Sequence, residues 1–373
     1  MAELFKNLYN DRFFNKFLTT VCRVVPNFNR DGFITEIYDE GWEARELKQR
    51  MRHISVVLER YLEGNYAEKL HTVLQTIEAI KVEGNREESV EYMFFPDFVE
   101  VFGLDDYDTS IKAMEQITQF TSCEFAIRPF IIRYEKQAVV QLKKWCKHKS
   151  EHVRRLASEG CRPRLPWAMA LPAFKKDPAP ILPILEKLKI DPSEYVRRSV
   201  ANNLNDIAKD NPELVVSIAQ KWKGKSKETD ALVKHACRTL LKQGIPEVME
   251  LFGFGSVENL KIEEFKVNTP QIAIGDAVEF SFQLKNTAHQ PALVRLEYGI
   301  YYQKANGSLS RKVFKISEKE YSANSVTEVI RKQSFRLITT RVFHPGLHQV
   351  SIILNGQEFE KRDFELVDFP KSS

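Results

Sequence analysis

Pairs of basic residues recur at a regular spacing in the middle of the chain. Three segments align with one another at separations of 43 and then 37 residues, and in each a valine is followed by two basic side chains. The pairs are Arg154-Arg155, Arg197-Arg198 and Lys234-His235. Cationic side chains bind phosphate oxygens, so a basic pair in every repeat predicts a surface that follows a nucleic-acid backbone. The alternative is that these are exposed polar positions that pair with neighbouring acids.

The charge of the chain is also distributed unevenly. The net charge is +4, but residues 141–250 carry a net charge of +9 and the remainder carries −5. A focused positive field attracts polyanions, and nucleic acid first among them. A solvated helical surface is the alternative explanation of the same excess.

Two glutamates stand 35 residues apart, which is about one repeat. Glu124 and Glu159 are both expected on helices, among apolar and small residues, and each is followed closely by Arg-Pro. Adjacent repeats of a solenoid would bring the two carboxylates together. The alternative is ordinary ion pairing along a helix, Glu124 with Arg128 and Glu159 with Arg155 or Arg162.

The elements that position these residues are predicted to be helices as far as about residue 252. Apolar residues recur there every three or four positions, which indicates amphipathic helices. One such stripe consists of Leu47, Met51, Ile54, Val57, Leu58 and Tyr61. Helix-start signals at Asp191-Pro-Ser-Glu and Asp210-Asn-Pro-Glu predict a helix over about residues 193–209. A period of about 40 residues is typical of paired-helix solenoids of the HEAT type.

From about residue 260 the apolar period changes to two. The runs 278–285, 293–301 and 349–354 alternate, and turn signals such as Asn306-Gly and Asn355-Gly separate them. About seven short strands in roughly 105 residues predict an immunoglobulin-like sandwich that lacks the cysteine pair of antibody domains.

The predicted fold class is therefore multidomain α + β. An all-α HEAT-like repeat solenoid is expected over residues 1–252, and an all-β immunoglobulin-like sandwich over residues 258–369. The glycines of the segment 252–256 interrupt the helical pattern and mark the boundary.

Composition excludes several classes of protein. With 43% hydrophobic and 28% charged residues, the chain is not mostly disordered. No stretch approaches about 18 uncharged apolar residues and no signal-peptide pattern is visible, so we expect no membrane span and a cytoplasmic protein. The five cysteines form no CxxC pair, so neither a disulfide framework nor a metal site is expected. A monomer is the default expectation.

Segments of the helical part resemble the AlkC and AlkD family of bacterial DNA glycosylases, and its AlkC-type members in particular. The resemblance rests on Cys161-Arg-Pro-Arg-Leu-Pro-Trp167, on the segment 191–212, and on Leu4-Phe-Lys, Phe13-Phe-Asn-Lys-Phe and the segment 42–50. The Arg-Pro-Arg-Leu-Pro-Trp motif is its most specific part. The similarity covers about residues 1–250, and some AlkC-type members continue into an immunoglobulin-like domain.

The resemblance implies an enzyme of base excision repair, a monofunctional DNA glycosylase and hydrolase. It would excise cationic N3-alkylated bases, 3-methyladenine and 3-methylcytosine, from duplex DNA, which its relatives hold and bend in a concave surface. Such a base already carries positive charge and leaves without protonation, so neither a general acid nor a cofactor is needed. A carboxylate beside the sugar would stabilise the developing cation and position water. The expected partner is double-stranded DNA containing alkylated bases.

The resemblance also implies roles for individual residues. Glu124 and Glu159 are expected to be catalytic, with Asp206 as a third acid on the next repeat. Trp167 is expected to face the lesion or the sugar, because its flat ring attracts positive charge. The alternatives are that Asp206 pairs with Lys209 and that Trp167 is a core residue. The residues expected to contact DNA are Arg154, Arg155, Arg162, Arg164, Arg197, Arg198, Lys234 and His235.

Two other functions are compatible with the same sequence. A non-enzymatic HEAT-repeat protein that binds DNA structures would not need Glu124 and Glu159, so the presence of both favours the glycosylase. A protein-binding scaffold, the commonest use of HEAT repeats, would not need the basic pairs. Its binding would also survive salt concentrations that release proteins from DNA.

Overall fold

The computed structural model describes residues 5–84, 90–338 and 341–368. In these residues sixteen α-helices come before eight β-strands, and this order, helices before strands, is the one that the sequence predicts. Leu4, which contributes to the resemblance, and residue 369, the predicted end of the sandwich, lie outside the described residues.

The helices of the described chain are α1 (Asp11–Val24), α2 (Arg30–Ile37), α3 (Leu47–Arg60), α4 (Tyr66–Val82), α5 (Phe94–Phe102), α6 (Tyr107–Ile117), α7 (Ile127–Arg133), α8 (Glu135–Trp145), α9 (Glu151–Glu159), α10 (Pro172–Lys176), α11 (Leu182–Leu188), α12 (Glu194–Ile207), α13 (Pro212–Trp222), α14 (Lys227–Ala236), α15 (Arg238–Gln243) and α16 (Pro246–Leu251). Short 3-10 helices cover Phe5–Leu8, Val90–Tyr92 and Ala179–Ile181. The strands are β1 (Leu260–Val267), β2 (Gln271–Ala273), β3 (Ala277–Asn286), β4 (Ala292–Gln303), β5 (Leu309–Tyr321), β6 (Ser325–Ser334), β7 (Gly346–Leu354) and β8 (Gln357–Val367).

Five helices in the first part of the chain, α1, α2, α3, α4 and α6, begin where side chains satisfy free backbone N–H groups of the first turn. Helix α3 starts with a capping box between Glu46 and Gln49, and α4 with one between Asn65 and Glu68. The apolar stripe predicted on α3 is buried from Met51 to Leu58. The helix predicted over residues 193–209 is α12.

Helices α9, α12 and α14 carry the three aligned segments and pack side by side, with α12 in contact with both others. The aligned valines, Val153, Val196 and Val233, are all buried. The sequence repeat is thus a repeat of packing, because the same register faces the core in each helix. The basic pairs follow these valines and therefore occupy equivalent positions along the three helices.

The strands form two sheets around one apolar core. The three-stranded sheet has the order β1-β3-β6, and the five-stranded sheet has the order β2-β8-β7-β4-β5. All neighbouring strands are antiparallel except β2 and β8, which are parallel. The three predicted alternating runs lie within β3, β4 and β7, and the described residues contain eight strands where the sequence predicts about seven.

The chain divides into two compact units, Met1–Ala236 and Cys237–Ser373. Helices α15 and α16 belong to the second unit together with the strands. Within that unit Gly244 and Gly356 approach so closely that a Cβ on Gly356 would lie 2.4 Å from the Gly244 Cα, and both glycines have a positive φ. The domain boundary predicted between residues 252 and 258 stays a prediction.

Two further properties concern the described residues alone. None of their helices has the length and apolar character needed to cross a membrane. The five cysteines are free thiols, and all except Cys22 are buried.

Candidate active site and nucleic-acid interface

Glu124 lies in the turn before α7 and not on a helix, so this part of the prediction is wrong. The Ser122 hydroxyl accepts the backbone N–H of Glu124 at 3.4 Å and donates to Glu124 Oε2 at 2.9 Å. Such local bonds compete with helix formation. Pro129 is the third residue of α7, where its missing N–H is tolerated only because the helix has just begun.

Glu159 is the last residue of α9, on a helix as predicted, and it is buried. Its Oε2 accepts a hydrogen bond from the Ser199 hydroxyl at 2.6 Å. Its Oε1 lies 2.6 Å from Arg162 Nη1 and 3.7 Å from Arg155 Nη2. Both ion pairs proposed as alternatives for Glu159 therefore form, and the buried carboxylate is fully satisfied.

Arg155 joins the two glutamates. Its Nη1 lies 2.7 Å from Glu124 Oε2, while its Nη2 faces Glu159. Burial works against the charged form of Arg155, but Glu124 and Glu159 outweigh burial and raise the pKa of Arg155 above its ordinary value. Glu124 thus pairs with Arg155 on α9. The alternative had proposed an ion pair between Glu124 and Arg128, and that pair does not form.

Arg162 extends this network to Asp206 on α12. Its Nε donates to Asp206 Oδ2 at 2.8 Å while its Nη1 holds Glu159. Lys209, on the exposed side, lies 3.1 Å from Asp206 Oδ1, so this alternative pairing is also present. Below, the term helical ion network denotes Glu124, Arg155, Glu159, Arg162 and Asp206. It joins the turn before α7, helix α9, the segment after α9 and helix α12.

One side of the helical ion network borders an open cleft of about 220 Å³. Glu124 and Arg155 both line it, and the Arg155 guanidinium lies 4.7 Å from the centre of the Tyr195 ring. The Glu124 side chain is 17% exposed, whereas Glu159 and Asp206 are buried behind the arginines. The remaining lining residues are Val90, Met93, Thr118, Phe120, Thr121, Ser122 and His152.

Trp167 lies in the irregular segment 160–171 between α9 and α10. It is 70% exposed, so the alternative that it is a core residue is wrong. Its φ of 63° is in the left-handed region, which is strained for a bulky side chain. Its carbonyl accepts a hydrogen bond from Lys48 Nζ at 2.7 Å.

The first residue of each arginine pair is engaged with protein. Arg154 bonds both carboxylate oxygens of Asp191, at 2.7 and 2.9 Å, and donates to two carbonyls of the loop before α9. Arg197 donates to the carbonyls of Asp191 and Pro192 in the equivalent loop before α12. These arginines brace the loops that precede their helices, as the alternative for the basic pairs proposed.

The second residues of the pairs face the spaces between neighbouring helices. Arg155 lines the cleft beside Tyr195, and Arg198 and His235 line a groove of about 490 Å³ between α12 and α14. Arg197 and Lys227 also line that groove, together with two acids, Glu194 and Glu228.

The three other residues expected to contact DNA are placed differently from one another. Lys234 is exposed on α14. Arg164 is partly exposed and forms a bidentate pair with Asp210 at 2.6 and 2.8 Å. Arg162 is buried between two carboxylates, so a phosphate contact from its guanidinium would require it to leave both.

Comparison with known protein families now adds to this geometry. The sequence model of the DNA alkylation repair enzymes matches residues 42–240, more than half of the chain. The chain belongs to this family. A second model, of the C-terminal Ig-like domain of the uncharacterised protein YhaZ, matches residues 261–368.

Two known proteins match nearly the whole chain. It is 42% identical over 366 residues to the uncharacterised protein YhaZ of Bacillus subtilis (strain 168), which covers 98% of this chain and 100% of that protein. The structure of the Pseudomonas fluorescens alkylpurine DNA glycosylase AlkC, bound to DNA containing an abasic site analog, has 34% identity and a TM-score of 0.91. That match covers 98% of this chain and 100% of AlkC. The resemblance to AlkC and the predicted fold class, helices followed by an Ig-like domain, are confirmed.

In this DNA alkylation repair enzyme the structure brings further residues to the site that the sequence patterns do not single out. Tyr195 stacks on Arg155, and the only signal for it is its alignment with His152, one position before the repeated valine. Lys48 and Arg128 contact the segment that carries Trp167. The segment 42–50 contributes to the resemblance, but nothing singles out Lys48 within it, and the sequence suggests Arg128 only as a partner of Glu124.

Proposed function

We propose that the protein is a DNA glycosylase that excises cationic N3-alkylated bases, 3-methyladenine and 3-methylcytosine, from double-stranded DNA. The reaction is hydrolysis of the N-glycosidic bond. The observation that carries this proposal is the linkage of Glu124 to Glu159 through Arg155 beside an open cleft. The full-length likeness to AlkC, an alkylpurine DNA glycosylase, supports the same class of reaction.

The proposed chemistry follows from the charge of the substrate. An N3-alkylated base leaves as a neutral molecule, and the sugar becomes positively charged as the bond breaks. Negative charge held beside the sugar lowers the barrier, because it is aligned before the reaction begins. The five residues of the helical ion network comprise three carboxylates and two guanidinium groups, so together they carry one excess negative charge. The additional cation, Lys209, lies on the outer side and is 41% exposed.

Within this network we assign the contact with the sugar and water to Glu124, because its carboxylate lines the cleft. Glu159 stands directly behind Arg155, and Asp206 behind Arg162. Their proposed contribution is the negative field and the alignment of the two arginines. Trp167, exposed on the neighbouring segment, is proposed to face the lesion or the sugar.

The proposed DNA interface consists of the residues of the basic pairs that face outward. Arg198, Lys234 and His235 lie on α12 and α14, which we propose to be neighbouring HEAT-like repeats. Together with Arg164 they are proposed to contact phosphates. Loss of one phosphate contact weakens binding to all sequences and lowers the slope of log K against log salt by about one.

The test is release of free bases from methylated duplex DNA, measured by chromatography. Glu124→Gln and Glu159→Gln are expected to reduce release by about 10²–10³-fold, because each removes preorganised charge. Glu63→Gln, an exposed glutamate in the loop before α4, is the matched control and should keep full activity.

DNA binding is measured on the same proteins. If both variants still release bases, the protein would still be a glycosylase, but the catalytic role would belong to other residues. Absence of release from the unmodified protein, together with salt-sensitive DNA binding, would assign the chain to the non-enzymatic DNA-binding class.

A further inference from the structure

The segment 160–171 carries Arg162 and Trp167 but contains neither helix nor strand. Backbone hydrogen bonds of regular structure therefore do not hold it in place. Two backbone hydrogen bonds lie within it, from Leu171 N–H to the Pro163 carbonyl at 3.1 Å and from Ala168 N–H to the Leu165 carbonyl at 3.3 Å. Beyond these, two cations from other elements donate to its carbonyl oxygens.

The first cation is Arg128 on α7, which is fully buried. Its Nη1 donates to the carbonyls of Gly160 at 3.0 Å and Arg162 at 2.9 Å, and its Nε donates to the carbonyl of Met169 at 2.6 Å. One guanidinium thus ties the beginning of the segment to its far end.

The chemistry of Arg128 sets it apart from an ordinary structural arginine. Among the described residues no carboxylate pairs with Arg128, and its Nη2 has no hydrogen-bond partner. Burial lowers the pKa of Arg128 to about 10, against the usual 12.5. Asp206 and Glu124 act on its charge only from beyond ion-pair distance. A buried cation without a close counter-ion is costly. The three carbonyl bonds offset part of that cost only while the segment keeps this conformation.

The second cation is Lys48, near the start of α3. Its Nζ donates to the carbonyl of Trp167 at 2.7 Å and lies 4.9 Å from the centre of the Phe125 ring. Phe125 directly follows Glu124 in the chain. Lys48 therefore connects the strained residue of the segment to the turn that carries the cleft carboxylate.

We propose that Lys48 and Arg128 are positioning residues that fix the segment 160–171 and so determine where Trp167 stands relative to Glu124. Arg128 binds the two ends of the segment. It thereby positions Arg162, which bonds Glu159 and Asp206. Lys48 secures the tip at the residue whose backbone is strained. The significance for catalysis rests on the proposed glycosylase function, whereas the anchoring itself does not.

The anchoring is measured by the fluorescence of Trp167 in DNA-free protein. Trp167 is 70% exposed, while the other three tryptophans, Trp42, Trp145 and Trp222, are 1–3% exposed, so acrylamide separates its emission from theirs. In Lys48→Met, the fast part of the anisotropy decay of Trp167 is expected to increase. The change should be absent from Lys112→Met, an exposed lysine on α6, and from the double variant with Trp167→Phe.

Activity on methylated duplex DNA tests the consequence. Lys48→Met is expected to lower kcat by about tenfold to a hundredfold with little change in the Kd for DNA, because misplacement by about 1 Å has effects of this size. Lys48→Arg keeps a donor for the carbonyl and should recover most of kcat. A loss confined to Kd would identify Lys48 as a phosphate contact and overturn its positioning role.

Arg128→Lys provides the second variant. We expect a more mobile Trp167 and a lower kcat, since a single ammonium cannot reach all three carbonyls. If this variant does not fold, the Lys48 variants still decide the question. Unchanged Trp167 anisotropy in Lys48→Met would overturn the proposal. Failure of the unmodified protein to release bases would instead reject the proposed function, and the fluorescence result would stand.

Discussion

Each unit of this protein contains a buried network of arginine and glutamate, and the two networks differ in what surrounds them. In the second unit Arg295 lies 2.6 Å from Glu297 on β4 and 3.0 Å from Glu318 on β5. These three residues form the sandwich ion network. Like the helical ion network, it places guanidinium groups against carboxylates with little exposure to solvent.

The two networks differ in how completely their polar atoms are hydrogen-bonded and in whether one of their residues borders an open cleft. In the helical ion network both glutamates receive hydroxyl hydrogen bonds, from Ser122 and Ser199, and Glu124 borders the cleft. In the sandwich ion network Glu297 Oε2 and Arg295 Nε have no hydrogen-bond partner, and Glu297 is fully buried. Burial of ions is therefore no sign of function by itself. An open face, together with full satisfaction of the remaining atoms, distinguishes a network that can meet a substrate.

The sharpest way to break the helical ion network is Arg155→Met. This change removes the link between Glu124 and Glu159, so we expect base release from methylated DNA to fall by about 10²-fold or more. Chromatographic measurement of free bases checks it. Arg133→Met, which removes a surface pair with Asp105 and a contact with the neighbouring Tyr134 ring, is the control. Equal activity of the two variants would show that the linkage is not needed.

The corresponding change in the sandwich ion network, Arg295→Met, should act on stability. It leaves Glu297 buried without its partner, which typically lowers the free energy of unfolding by about 3–5 kcal/mol. Urea denaturation followed by circular dichroism measures this. Lys285→Met removes a partly exposed pair with Glu263 and should change stability by no more than about 1 kcal/mol. Adding Glu297→Leu to Arg295→Met should restore much of the loss.

Glycine contacts offer a finer comparison of the two units. A Cβ on Gly160 would lie 2.6 Å from Ile127 Cγ2 and 2.9 Å from the Leu156 carbonyl. Gly160→Ala should therefore push α9 from α7, lower stability by about 1–3 kcal/mol and reduce base release. Gly356, unlike Gly160, has a positive φ, so Gly356→Ala should lower stability at least as much. If Gly160→Ala kept full activity and stability, close packing of α9 on α7 would not be required.

The smallest expected effect is a dependence of sandwich stability on pH. Burial lowers the pKa of His348 below its ordinary 6.5, and its ring packs against Phe335 and Phe364. Its contribution is complete above pH 6.5 and is lost as the pH falls toward the lowered pKa, because only the unfolded chain then binds the proton. Denaturation of the unmodified protein and of His348→Gln between pH 5 and 7.5 should show the slope only in the former. A slope that persists in the variant would assign it to other groups.

Much of the architecture could be predicted because it depends on neighbours along the chain. Helix-start signals located α12, and the period of two located the runs that lie in β3, β4 and β7. The predicted helix around Glu124 failed, since a serine hydroxyl two residues away competes with helical hydrogen bonding. The sequence predicts about seven strands and the described residues contain eight. Among these, β2 has only three residues, too few for an alternating pattern to be visible.

The candidate site shows a similar division. The two glutamates, Asp206 and the tryptophan were selected by their motifs, and their catalytic roles stay predictions. The sequence did not show that Arg154 and Arg155, which are adjacent, have different partners. Arg154 bonds Asp191 and Arg155 bonds Glu124, each more than 30 residues away.

The sequence by itself determined the two kinds of unit, the repeat that aligns the basic pairs, and membership in the DNA alkylation repair enzymes. The two kinds of unit and the repeat follow from periodicity, which depends on residues within one or two helical turns of each other. Family membership follows from motifs that are shared through common ancestry. The tertiary structure alone decided which carboxylate borders the cleft, which arginines face outward, and that Lys48 and Arg128 hold the segment of Trp167. A charged side chain takes the role that its spatial partners impose, and those partners come from distant parts of the chain.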